Sequence, residues 1–288
     1  MDWICENSEL SKNQLNNVKI TGDFAELSEN VGEGYLETDV IETEGFKEIT
    51  PSWNSRTDKD SSVELFIRMR GENLWTPYIS YGVWSTDGNN KGITEHYSDD
   101  VIKVTEDRIF VKNDKSGDAV QIKVILRGKS PRLKLIAFST DAGEDEPIEG
   151  NYLRILENIP FISQLASGHK DAHVICSPTS LTMALKYHGK NVNLDQVTRG
   201  TFDTGNEAYG NWPQNVAFAG EQGMRAYTKK CKSINPVKNF IAKGIPVVSS
   251  VCMQEKEDLD GAISSFSSGH LMVVVGFDVN DGIEYVVV

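Results

Sequence analysis

Residues 62–70 read SVELFIRMR, with Val63, Leu65, Ile67 and Met69 at every second position and Glu64, Arg68 and Arg70 among the residues between them. Successive side chains of a strand point to opposite faces, so this alternation describes a strand with one buried and one wet side. The same period recurs in AVQIKVILRG, residues 119–128, where Val120, Ile122, Val124 and Leu126 share a face. Turn-rich stretches, STDGNNKG at 85–92 and NDKSGD at 113–118, punctuate such runs at strand-like spacing. No helical period interrupts residues 17–140. An all-strand segment of this length has to stack or close its sheets to bury one face of each, which predicts an antiparallel, jelly-roll-like β-sandwich.

The period changes after FSTDAGEDEPIEG, residues 138–150, a stretch with five acids, two glycines and a proline and little to bury. It reads as a linker. Beyond it, Leu181, Ala184, Leu185 and His188 follow the i, i+3, i+4, i+7 spacing of a helix face, with Pro178 in the first turn and Gly189 at the stop. A second helix is predicted at NPVKNFIAKG, residues 235–244, capped by Asn235, with Pro236 at its first position and Gly244 ending it. The runs IPVVSSV, HLMVVVGF and IEYVVV are short, apolar and β-branched, as in a buried sheet. The expected organisation is a sandwich over 1–140, a linker over 141–152 and an α+β domain over 153–288.

The bulk properties bound the function. A chain of 288 residues, 39% hydrophobic and 25% charged, has room for two cores. Its net charge of −13 sits almost wholly in the first half, where residues 1–150 hold 17 Lys and Arg against 29 Asp and Glu. Such a surface repels phosphate backbones, which argues against a nucleic-acid partner. No apolar run reaches spanning length, and the opening MDWICENSEL has neither the basic nor the apolar region of a secretory signal. Cys5, Cys176, Cys231 and Cys252 form no CxxC pair and no dense framework. No cofactor fingerprint is found.

The chemistry gathers in HVICSPTSLTMALKYHG, residues 173–189, where Cys176 opens the predicted helix. Unpaired backbone N–H groups and the helix dipole favour an anion at that end, which suits a thiolate nucleophile. A nucleophile of this kind needs a base from elsewhere in the fold. Of the five histidines, His270 in SSGHLMVVVGF is the best placed, at the mouth of an apolar strand, with His173 as its competitor. The opposing reading, a buried structural thiol, stays open on these residues alone. His169, His173 and Cys176 could be imagined as zinc ligands, but Lys170 stands where a metalloprotease helix would carry its glutamate. His188 near a helix end and His96 in the first half read as structural or surface residues. In NLWTPYISYGVWS, alternation pairs Trp75 with Tyr81 and Tyr78 with Trp84, one pair for the core and the other for the surface, where a stacking platform for sugar or peptide is the functional alternative.

IPFISQ (159–164), CSPTSLTMAL (176–185), GNWPQNVAFAGEQGM (210–224), FIAKGIPVVSSV (240–251) and GHLMVVVGF (269–277) occur in the order found in the C39-like cysteine peptidases of the papain-like superfamily, which the second half resembles. The resemblance implies a papain-like fold, Cys176 as nucleophile, His270 as general base and Gln164 as oxyanion-hole donor. It also implies a substrate cleft bordered by Asn211, Trp212 and His173, with core packing the alternative for Trp212 at its helix start, no cofactor, and a peptide or protein substrate. Relatives of this kind are mostly bacterial and often exported, which favours an extracellular or cell-surface site. A sandwich ahead of such a peptidase resembles a carbohydrate- or substrate-binding module, so a glycan or cell-wall ligand is expected of the first half.

This chain departs from the family pattern in three places. Ser177 follows the cysteine where many relatives have glycine, and twelve positions separate Gln164 from Cys176, so the loop LASGHKDAHVI has to fold back. The family carries an Asn-Asp-Pro-like segment after the histidine's strand, whose acid orients the imidazole; IEYVVV ends where that segment should begin, which places the acid beyond Val288 or leaves it missing. Asp278, Asn280 and Asp281 in GFDVNDGIEY read as hairpin residues instead. Two functions remain at this level: a thiol hydrolase cleaving an amide bond, or a glycan-binding protein with a degenerate papain-like half. A transferase that passes the acyl group to an amine is a variant of the first.

Overall fold

A computed structural model of the chain describes residues 1–93, 98, 101–105, 107–262 and 265–288. His96 lies outside the described residues. The chain divides into two compact units, Met1–Glu144 with Gly200–Lys230, and Asp145–Arg199 with Cys231–Val288. Among the described residues no helix is long and apolar enough to cross a membrane.

The first unit is a β-sandwich of two seven-stranded sheets. One sheet runs Ile79–Trp84, Ser62–Gly71, Gly117–Arg127, Glu33–Glu37, Gln14–Asn16, with Ile41–Phe46 and Leu74–Trp75 pairing off this path. The other runs Ile102–Val104, Ile109–Val111, Glu48–Arg56, Arg132–Thr140, Phe24–Leu27, Val18–Thr21, with Asp2–Glu6 added alongside Arg132–Thr140. The two runs that announced the fold are partners: Val63 faces Leu126, Leu65 faces Val124, Ile67 faces Ile122 and Met69 faces Val120 across one antiparallel ladder. All eight are buried. Fully burying a side chain of this size is worth about 1.5–3 kcal/mol, so this doubled row is a large part of what holds the unit together.

Strand Glu48–Arg56 breaks the alternation, because nearly every residue along it is buried, including Thr50, Ser52 and Asn54. One face meets the sandwich core. The other is covered by residues 200–230, which the sequence pattern assigns to the second domain and which pack in this unit through helix Trp212–Glu221 and the segment after it. The amide of Asn54 donates to the Ala226 carbonyl at 2.8 Å and accepts from the Ala226 N–H at 3.0 Å. Thr228 donates to the Thr50 carbonyl and its N–H reaches Ser52 Oγ. Gly220 is required where the helix crosses: a Cβ there would lie 2.7 Å from that of Asn54.

The aromatic stretch 75–84 also departs from plain alternation. The ladder between Ile79–Trp84 and Ser62–Gly71 slips at Ser80/Gly82, so Tyr81 is an extra residue and the phase behind it changes. Tyr81 and Trp84 are therefore both buried, whereas alternation puts them on opposite faces. Trp75 and Tyr78 instead flank the Arg68 guanidinium, their ring centres 4.8 and 4.9 Å from its carbon.

The second unit has a smaller core of Leu156, Val237, Ile241, Val274 and Phe277, with Tyr152, Ile159, Tyr187 and Val247 packed around it. Helices Cys176–Tyr187 and Asn235–Ala242 accompany two antiparallel strand pairs, Val247–Met253 with Phe266–Val274 and Gly276–Asn280 with Ile283–Val287. Asn235 does not cap its helix. It is the first helical residue, and its side-chain amide donates instead to Asp145 and to the Glu146 carbonyl, tying the helix to the acidic stretch before the domain. The hairpin at 276–287 has the expected turn, with Asp281 at φ +51° and Gly282 at φ +77°, as a two-residue Asp-Gly connection needs.

Candidate active site

Cys176 is the first residue of its helix, with Ile175 at the cap position, where it makes no side-chain cap bond. Ile175 is buried and anchors the entry, while Cys176 is half-exposed. Pro178 sits in the first turn, where its missing N–H costs nothing, and Gly189 at φ +73° follows the last turn, as the sequence predicts. The helix is thus fixed at both ends and presents its electropositive end at a thiol.

His270 stands on strand Phe266–Val274 opposite Val251. One turn beyond Cys176, on the same face of the helix, Ser180 donates its hydroxyl to the Leu271 carbonyl at 3.0 Å. That bond fastens the cysteine end of the helix to the residue next to the histidine. It joins two sites 91 residues apart in the sequence. Burial pushes the half-buried His270 imidazole below its usual range, which favours the neutral form, the one that can accept a proton.

The ladder carrying His270 is irregular. Val251 pairs with His270 but Met253 pairs with Phe266, so residues 267–269 bow out opposite a single residue. Gly269 takes φ +105°, outside the reach of most L-residues, and the Cys252 thiol donates to the Ser267 carbonyl at 3.0 Å. Sequence periodicity did not reveal this bulge or the Ser180 clamp, although a glycine within an apolar strand is the signal that marks such a place.

Gln164 opens the short turn Leu165–Ser167, and its side-chain N–H donates to the Ala172 carbonyl at 2.9 Å. The twelve positions between Gln164 and Cys176 are therefore folded back into a closed loop, with one amide hydrogen engaged and the other left to donate elsewhere. In the same loop His169 Nδ1 accepts the Asp171 N–H at 3.0 Å. His173 is exposed. His188 is exposed at the helix C-cap, its ring edge-on to Tyr187.

Asn211 is buried, caps helix Trp212–Glu221 by accepting the Gln214 N–H, and donates to Asp203 at 3.0 Å. Asp203 also accepts from the N–H groups of Gly92, Gly205 and Asn206. Trp212 lies against the Arg108 guanidinium at 5.5 Å. Both belong to the first unit, whereas Cys176, His270, Gln164 and His173 belong to the second. Asp278 accepts the N–H of Val279, and Asn280 pairs with Ile283 across the hairpin.

Residues 156–288 match the Peptidase_C39 like family, and residues 18–140 match the Peptidase C39 N-terminal domain. No curated protein matches the chain. Among solved structures, the insecticidal crystal protein Cry2Aa aligns with 48% of this chain at 11% identity and a TM-score of 0.23, too low to carry an argument. The chain spans about a fifth of that protein's length, 21%.

Proposed function

We infer that this chain, which belongs to the C39-like peptidase family over residues 156–288 and carries that family's N-terminal domain over 18–140, hydrolyses an amide bond through a thioester on Cys176. The observation that carries this reading is the Ser180–Leu271 bond, because it ties the cysteine end of a helix to the strand position beside His270, whose neutral form burial favours. The second unit is then a papain-like α+β domain in which helix and strands meet at the reacting groups.

In this reading His270 takes the thiol proton, and the thiolate attacks the substrate carbonyl carbon. The oxyanion that forms is met by the Cys176 N–H at the helix start and the free amide hydrogen of Gln164. Removing one such donor costs about 3–4 kcal/mol in other acyl-transfer enzymes. The C–N bond then breaks as His270 returns the proton to the leaving amine, which leaves a thioester. Water, deprotonated by His270, attacks the thioester; the C–S bond breaks, the acid departs, and the proton goes back to sulfur. His173, on the exposed loop before the nucleophile, borders the site, and the sandwich binds a glycan or positions the substrate.

The test is alkylation by iodoacetamide at neutral pH in wild type, Cys176→Ala and His270→Ala, with Cys231 replaced throughout and labelling at Cys176 read apart from that at Cys252 by peptide mass spectrometry. Rapid labelling that Cys176→Ala abolishes and His270→Ala slows supports the reading, together with cleavage of an unstructured protein such as casein. Cleavage that survives Cys176→Ala overturns it.

A further inference from the structure

On a regular strand, residues four apart sit about 13 Å from each other. Phe266 and His270 are four apart on one strand, yet their rings stack with centres 4.1 Å apart and planes 11° from parallel. The bulge is the cause. Phe266 and His270 face Met253 and Val251, which are only two positions apart on the partner strand, and residues 267–269, two more than the single Cys252 between those partners, bow aside with Gly269 at positive φ and Ser267 hydrogen-bonded to Cys252. Bulges of this kind gather beside active sites because they re-aim a side chain.

We propose that Phe266 is a positioning residue for His270, fixing the plane of the imidazole by ring stacking and keeping water from one of its faces. In a Ser-His-Asp triad the orienting task falls to a carboxylate on the second ring nitrogen. Here a phenyl face does it by contact area, without a hydrogen bond and without adding charge. The elements packed against His270 bring few charges of their own. The helix offers Cys176 at this end, with Lys186 and Tyr187 at the other, and strand Val247–Met253 offers Cys252. Burial accordingly governs the imidazole and holds it below the ordinary range.

The inference rests on His270 being the base, but its test does not depend on turnover. In the full chain the His270 ring protons are followed by NMR across pH, in wild type, Phe266→Ala, Phe266→Leu and Phe266→Tyr. Stacking shifts those protons upfield; Phe266→Leu, which keeps an apolar filler, removes the shift, and Phe266→Tyr retains it. Phe266→Ala raises the His270 titration midpoint toward the ordinary imidazole range and slows Cys176 alkylation at neutral pH roughly tenfold, about 1.4 kcal/mol of barrier. The proposal is overturned if the ring protons keep their shift in Phe266→Leu, the variant least prone to misfolding, or if folded Phe266→Ala labels Cys176 as fast as wild type. Loss of the shift alongside alkylation that ignores His270→Ala would uphold the stacking and defeat the peptidase reading alone.

Discussion

Two strand pairs in this molecule use the same apolar, β-branched residues to different ends. In the sandwich, Ser62–Gly71 and Gly117–Arg127 run in unbroken register from Arg127 to Ala119, with every inward side chain buried. In the second unit, Val247–Met253 and Phe266–Val274 keep register from Val247 to Val251 and then lose it next to His270. The regular pair keeps its ladder and buries its inward side chains, while the alternate residues stay partly exposed. The irregular pair gives up ladder hydrogen bonds and gains a histidine held at a chosen angle. On the proposed function, stability and chemistry fall to different ladders.

The largest effect expected from disturbing this division is at the irregular pair. His270→Ala should slow casein cleavage by about 10²–10⁴-fold, the usual worth of a general base, while leaving the thermal unfolding midpoint close to wild type. At the regular pair the reverse is expected. Leu65→Ala should cost about 2–5 kcal/mol in guanidinium unfolding, since Leu65 is fully buried opposite Val124, with Cys176 alkylation unchanged in the folded protein.

Smaller effects sharpen the contrast. Ser180→Ala removes the clamp between helix and strand and should cost about 1 kcal/mol, read as a lowered midpoint and a modest slowing of alkylation. Glu221 is the mildest case. It accepts from the Trp84 indole and the Thr57 N–H, and burial lifts its carboxyl above the usual range. A raised acid holds its proton more tightly folded than unfolded, so this group adds stability below its unfolded-state range and loses it as pH rises through the folded value. Glu221→Gln should flatten that part of the stability–pH curve, measured by denaturant titrations at intervals from pH 4 to pH 7 (about the range in which carboxyls titrate).

Much of the fold was legible in sequence because its signals are local. Alternation at 62–70 and 119–126 marked the core face, Asp281-Gly282 marked a hairpin, and Pro178 and Gly189 bounded the cysteine helix. What escaped depends on partners far along the chain. The extra residue at Tyr81 is defined only against the strand beside it, so the phase of Tyr78 and Trp84 could not be counted through it. Asn235 has the chemistry of a cap, but acceptors at Asp145 and Glu146 claim its amide. Cys176 and His270 were legible as types with a local setting, the helix start and the strand mouth. The link between them through Ser180 was not, because a serine inside a helix carries no mark of its distant acceptor.

The polar strand under helix Trp212–Glu221 bears on how the molecule comes into being. Asn54 and Ala226, which exchange a pair of hydrogen bonds, are 172 residues apart. At roughly 5–20 residues per second of translation, the outer face of strand Glu48–Arg56 emerges from the ribosome and waits about 10–30 s for the segment that covers it. During that interval the nascent sandwich shows solvent, and any chaperone, a face that the finished protein never displays. An expression plasmid that stops near residue 140 would make this passing state permanent, so the first unit has to be produced with residues 200–230 supplied, in one chain or as a second fragment.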